Sequence, residues 1–100
     1  MANVETKIKE NVKLAEPPLF KIIYINDNET PVDFVVSTLI EHFDYTEITA
    51  QKITMDVHGS GSAVVAVLPY ELAEQKGIEI TVSARAQGYP LQIKLEPDLA

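Results

Sequence analysis

Short polar side chains are concentrated at one point of this 100-residue chain, Asn26-Asp27-Asn28-Glu29-Thr30. They follow an apolar run, Leu19 to Ile25, and precede a helical pattern that opens near Val32. Asn26, Asp27, Asn28 and Thr30 offer side-chain oxygens as hydrogen-bond acceptors, with an apolar helix directly behind them. Acceptors backed by apolar surface suit a small cationic group carried on a greasy one. The same residue types also favour strand-end turns and helix caps for backbone reasons alone, so both readings stand. A second polar cluster, His58-Gly59-Ser60-Gly61-Ser62, sets an imidazole beside hydroxyls. Adjacent residues rarely face one another productively, and there is no nucleophile elbow, which argues against Ser–His catalysis. As a metal ligand His58 lacks partners at helical spacing, since Asp56 and His42 do not complete a site. Its place at a helix C-terminus is accounted for by the macrodipole. The Gly/Ser loop has neither the lysine nor the spacing of a phosphate-binding loop. With no convincing nucleophile, metal cluster or acid–base set, neither an enzyme nor a cofactor is expected.

The elements that hold these residues can be read from periodicity. Residues 1–18 are mostly polar, end in Glu16-Pro17-Pro18 and are expected to form a flexible arm, leaving 19–100 as one core. Leu19 to Ile25 reads as a strand with at least one buried face. Val32, Val35, Val36, Leu39, Ile40 and Phe43 recur at i, i+3, i+4, i+7, i+8 and i+11, the stripe of an amphipathic helix. Thr30 is placed to cap it, with Pro31 as its first residue and Asp33 completing a capping box. A second helix is expected from Thr46 to Val57, ended by Gly59-Ser60-Gly61, and a second buried strand from Ala63 to Leu68. A third helix starts at Tyr70. The alternation in Ile78-Glu79-Ile80-Thr81-Val82-Ser83 would also pass for a strand, but only Gly77 separates it from the helix. One long helix ending at Gly88 is therefore expected. Leu91 to Leu95 alternates and forms the last strand. The order β-α-α-β-α-β makes an α+β domain, a three-stranded antiparallel sheet with three helices on one face.

Composition narrows the function. An apolar fraction of 46% supports one modest core, and a net charge of −7 argues against nucleic acid, which needs a basic face. There is no cysteine, no secretory pattern and no apolar stretch of bilayer length, so a cytosolic chain with no membrane partner is expected. Glu71 and Lys76 flank an apolar Leu72-Ala73 pair; they read as a solvated helix face or as the charged rim of a weak docking surface. His42, beside Glu41, reads as a surface residue.

Taken together, several of these pieces resemble the ClpS family of bacterial and plastid Clp protease adaptors. The pieces are Asn-Asp-x-x-Thr-Pro at Asn26 to Pro31 followed by Phe34-Val35, Val57-His58 before a Gly-containing loop, Glu71 and Lys76, and Pro90-Leu91. The resemblance spans about Phe20 to Leu95 and favours helix for the ambiguous third helix. It implies an adaptor that binds the exposed N-terminal residue of a substrate, typically Leu, Phe, Tyr or Trp, and delivers it to a Clp unfoldase of the ClpA or ClpC type. By position, Asn26 and His58 would contact the substrate's α-amino group and Thr30 its first peptide unit. Val32, Val35, Thr54, Val57 and Leu91 would line the side-chain pocket. Glu71 and Lys76 would dock on the unfoldase N-terminal domain, and the arm at 1–18 would serve hand-off. The resemblance further implies a monomer in the cytoplasm, or in the plastid stroma.

Three positions depart from the family pattern. A family acid that partners the ammonium is Asn28, with Asp27 next door as a substitute if it turns inward. A gatekeeping Met is the shorter Val32, which would admit β-branched N-terminal residues. A second pocket Met is Thr54, whose hydroxyl lowers the pocket's apolar character. Altered or relaxed specificity is expected. The alternatives are a paralogue that docks on the protease without reading N-termini, and an unrelated interaction module.

Overall fold

The structure, a computed structural model, describes residues 17–99; most of the expected arm at 1–18 lies outside the described residues. Strand β1 (Leu19–Ile25) leads to helices α1 (Val32–Phe43) and α2 (Glu47–Ser60), then strand β2 (Ser62–Pro69), helix α3 (Tyr70–Ala86) and strand β3 (Gln92–Pro97). The sheet is antiparallel in the order β2-β1-β3, so the most apolar strand occupies the middle. The β-α-α-β-α-β order is the expected one. Alternate residues of β1, Ile22 and Tyr24, are fully buried and meet Val35 and Leu39 of α1, Ala50 and Val57 of α2, and Ala73, Ile80 and Ala84 of α3 in one cluster. All three helices thus share the core on one face of the sheet. No helix among the described residues is long and apolar enough to cross a membrane.

The Tyr24 hydroxyl is buried in that core, 2.8 Å from Thr38 Oγ1. Thr38 donates its own proton to the Val35 carbonyl at 2.8 Å, so Tyr24 must be the donor to Thr38. Burial pushes this phenol far above its ordinary range, outweighing the opposite effect of the Thr38 bond. The relay ties β1 to the first half of α1.

Strand β2 is less buried than expected. Only Val65 is buried, while Val64 and Val67 are exposed on an edge strand. The register explains the uneven pattern: Ile22 pairs with Ala66 but Ile23 with Val64, which leaves Val65 as the extra residue of a β-bulge. The bulge flips the alternation, so Ala63, Val65, Ala66 and Leu68 all face the core.

Helix boundaries hold two corrections. Thr30 does not cap α1: the N-cap position is Pro31, which has no side-chain capping bond, and the Pro31 carbonyl accepts the Phe34 and Val35 amides. Helix α2 is properly capped by Thr46, whose Oγ1 accepts the Thr49 amide, but it continues through Gly59 and Ser60. Gly61 alone, at φ +87°, stops it. In α3 the alternating Ile78 to Ser83 stretch is helical; Ile80 is its one buried member, with Ala73 and Ala84 the other buried residues of the helix. His42 is not simply a surface residue. It is half-buried, with Nδ1 3.8 Å from Glu79 of α3.

Candidate functional site

The site is built where the middle strand ends. Beyond Ile25 the chain leaves the sheet, and the Asn26 amide donates to the Gly61 carbonyl at 2.8 Å. Gly61 in turn donates to the Val57 carbonyl as the stop of α2. The end of β1 and the last turn of α2 are therefore stitched together, which carries Asn26 to the neighbourhood of His58.

The turn that follows is organised by Asp27. Its Oδ1 accepts the Glu29 amide at 2.8 Å and the Thr30 amide at 2.6 Å, and its Oδ2 accepts the Thr30 hydroxyl at 2.7 Å. This is an Asx-type turn, and it takes the hydroxyl that a helix cap would have used. Desolvation pushes the Asp27 carboxyl up, but the Thr30 and Glu29 hydrogen bonds and the Arg85 guanidinium together outweigh it and hold the group below the usual carboxylate range. Asp27 stays ionised with its oxygens turned onto its own loop.

Asn26, Asp27, Asn28 and Thr30 line one hollow of about 340 Å³ together with Val32, Thr54, Val57 and His58. Eight of the ten residues expected for an amine-and-side-chain site thus converge. Thr54, Val57 and His58 share a face of α2 at i, i+3 and i+4. The Thr54 hydroxyl donates to the Ala50 carbonyl at 2.8 Å, so its proton is committed to its own helix. Val35 and Leu91 do not border the hollow: they are 7% and 1% exposed and belong to the core behind it. Glu29 and Pro31 also line it, although in the sequence they had only turn and helix-start roles; their signal is membership of the same short turn.

Arg85 is a further residue, one with no assigned part in the site from sequence alone. One guanidinium nitrogen donates to the Tyr89 carbonyl at 2.8 Å and the Leu91 carbonyl at 2.9 Å, fixing the loop between α3 and β3. The Tyr89 ring meets Phe34 edge-on at 5.0 Å, so that loop braces the first turn of α1. A basic residue in the last turn of a helix was the available clue.

Glu71 and Lys76 are both on α3 but border different hollows. Glu71 lies with Phe20, Pro69 and Tyr70, and Lys76 with His42, Tyr45 and Leu72.

Comparison with known proteins identifies the family. The family described as ATP-dependent Clp protease adaptor protein ClpS matches residues 15–94. The ATP-dependent Clp protease adapter protein ClpS 1 of Rhodopseudomonas palustris is 40% identical over 98% of this chain and 99% of its own length. ClpS of Wolinella succinogenes is 37% identical over 95% of this chain and 93% of its own. Among solved structures, Agrobacterium tumefaciens ClpS2 bound to L-phenylalaninamide superposes with a TM-score of 0.80 at 37% identity, covering 83% of this chain and all of that one. The chain belongs to the ClpS family of Clp protease adaptors.

Proposed function

We propose that this chain binds the free N-terminal residue of substrate proteins and carries them, as a cytoplasmic monomer, to a ClpA- or ClpC-type unfoldase. One observation carries the reading: acceptors from the β1–α1 turn and the imidazole of His58 rim the same hollow that Val32, Thr54 and Val57 line with apolar surface. An amino-terminal residue has the matching parts, an ammonium and a greasy side chain on the same carbon. A related ClpS2 has been captured with L-phenylalaninamide, which carries both.

Asn26 and His58 take the ammonium, Thr30 takes the first peptide unit, and Val32, Thr54 and Val57 hold the side chain, with Val35 and Leu91 as packing behind them. Asn28 supplies a neutral acceptor where the family has an acid. Asp27 makes up the loss only through its field, because its oxygens already accept three bonds from the turn. Val32, at the mouth and 50% exposed, leaves room for a branched β-carbon. The Thr54 methyl, with its hydroxyl turned back to Ala50, keeps that wall apolar. Glu71 and Lys76 act as two separate contacts on the unfoldase face of α3.

The test is fluorescence anisotropy with peptides beginning Phe, Leu, Ile or Val, each with a free or an acetylated amine. Binding of the free-amine forms, loss on acetylation and measurable affinity for Ile and Val are expected. Equal binding of acetylated peptides would refute amine recognition, and exclusion of Ile and Val would remove the argument from Val32.

A further inference from the structure

Strand β3 is an edge of the sheet, with β1 on one side and no strand on the other among the described residues. The Asp98 amide donates to the Leu19 carbonyl at 2.8 Å, and the β1–β3 register, continued by one residue, sets these two directly opposite. Hydrogen-bonded pairs alternate along an antiparallel ladder, so Gln92, Lys94 and Glu96 also turn their backbone groups to β1. Ile93, Leu95 and Pro97 turn theirs outward. The free edge therefore presents the amides of Ile93 and Leu95 and the carbonyls of all three.

Beside that edge lies apolar surface that the described residues leave open. A hollow of about 300 Å³ between α3 and β3 is lined by Ile78 and Val82 on the helix and by Ile93 and Leu95 on the strand. Ile78 and Val82 are 57% and 63% exposed. The ionisable residue of the hollow, Glu74, accepts the Tyr70 hydroxyl at 2.6 Å on its own helix. On the opposite face of the strand stand Lys94 and Glu96, paired at 3.0 Å.

We propose that β3 pairs antiparallel with β3 of a second copy, centred on Leu95, and joins the two three-stranded sheets into one. Charge selects both the occupant and the register. With Leu95 opposite Leu95, Lys94 of each copy lies directly across from Glu96 of the other, two opposite-charge pairs. The neighbouring registers set Lys94 against Lys94 or Glu96 against Glu96. Lysine and proline on an edge strand ordinarily discourage pairing. Here the lysine permits one register, and Pro97 lacks only a donor. The Leu95 residues exchange both their hydrogen bonds, and each Ile93 amide reaches the opposite Pro97 carbonyl. The two-fold axis stands perpendicular to the sheet, so both sets of helices share a face, with Ile78 and Val82 of each copy flanking the seam. The net charge of −7 on each copy opposes approach at long range, which makes the pair a form of concentrated protein at screening salt. No residue of the amine hollow belongs to α3 or β3, so the proposal is independent of the N-terminal reading, whose monomeric carrier is the dilute form.

The experiment is analytical ultracentrifugation of the full chain from micromolar to near-millimolar concentration at physiological salt. A concentration-dependent rise from one copy to two is expected. Lys94→Glu and Glu96→Lys each turn both cross-strand pairs from opposite to like charge and should raise the dissociation constant about tenfold. An equimolar mixture of these two variants should regain native association, because every Glu then faces a Lys again; this also shows that both variants are folded. Val82→Asp, at an exposed helical position, should weaken the pair by placing a charge at the seam. A single-copy species throughout overturns the proposal and leaves the edge to a foreign strand or to none. Association unmoved by the charge reversals, or a mixture no stronger than its components, overturns it as well and puts the contact between copies elsewhere.

Discussion

Asp27 and Asn28 are neighbours with opposite fates, and the difference lies in what each side chain touches. Asp27 accepts three hydrogen bonds from its own loop, while Asn28 is exposed at the rim of the hollow. Restoring a charged acceptor at the rim should therefore strengthen amine binding. A hydrogen bond to a charged group contributes about 1 kcal/mol more than a neutral one, so Asn28→Asp is expected to tighten a Phe-peptide about fivefold. Anisotropy titration checks it, and no change would mean that Asn28 does not touch the ligand. The depressed titration of Asp27 has a consequence for stability as well. An unfolded aspartate protonates near pH 3.9, whereas the folded one holds its charge to lower pH, so unfolding takes up a proton in between. The contribution is complete above about pH 3.9 and fades as pH falls through the folded value. Urea midpoints measured from pH 5 to 2 should drop more steeply for the native chain than for Asp27→Asn; parallel curves would refute it. The composition of this turn was plain in the sequence, but not which group would win Thr30. Thr-x-x-acid spacing pointed to a cap, and the competing carboxylate three residues earlier captured the hydroxyl instead.

At the scale of elements, periodicity carried most of the fold, and it misled where the backbone departs from regular geometry. β1 and α1 were legible because burial and pattern agree. The run Ala-Val-Val-Ala-Val-Leu suggested a strand buried throughout; its inward residues are Ala63, Val65, Ala66 and Leu68, a sequence of faces that only a bulge produces. Nothing in the residue types announced the bulge. The structure stabilises it from a distance: the Tyr45 hydroxyl donates to the Val65 carbonyl at 2.6 Å, satisfying the extra residue. Tyr45→Phe keeps the ring near Phe43 but leaves that carbonyl without its donor, and should destabilise the fold by about 1 kcal/mol. Thermal unfolding reads this as a shift of several degrees in a domain of this size. An unaltered Tm would show that water replaces the phenol there. Leu91 stands behind the hollow and not on its border for a related reason. Alternation set it at the start of β3, whereas it lies in the loop before Gln92, drawn into the core with its carbonyl held by Arg85.

For the molecule as a whole, the question is what brings two segments some thirty residues apart into one site. The sheet supplies a rigid middle strand, and the α1–α2 hairpin returns the chain to the end of that strand. The joint between them is narrow: the Asn26 amide on the Gly61 carbonyl, with Gly61 in the left-handed region. A Cβ at Gly61 would meet nothing within 4 Å, so crowding would not oppose a substitution there. The penalty would be conformational alone, because φ +87° disfavours any L side chain. Gly61→Ala is therefore expected to cost about 1–2 kcal/mol, on the scale of placing an L-residue in that region. If the backbone relaxes to relieve this strain, the Asn26–Gly61 bond lengthens and His58 moves away from the turn. Affinity for a Phe-peptide should then fall at temperatures well below the unfolding transition. Ser60→Ala, one residue earlier and in ordinary helical geometry, should affect neither quantity. A Gly61→Ala chain that loses stability yet binds with native affinity would show that the site does not depend on this joint, and that the two halves of the hollow are held together by the core alone.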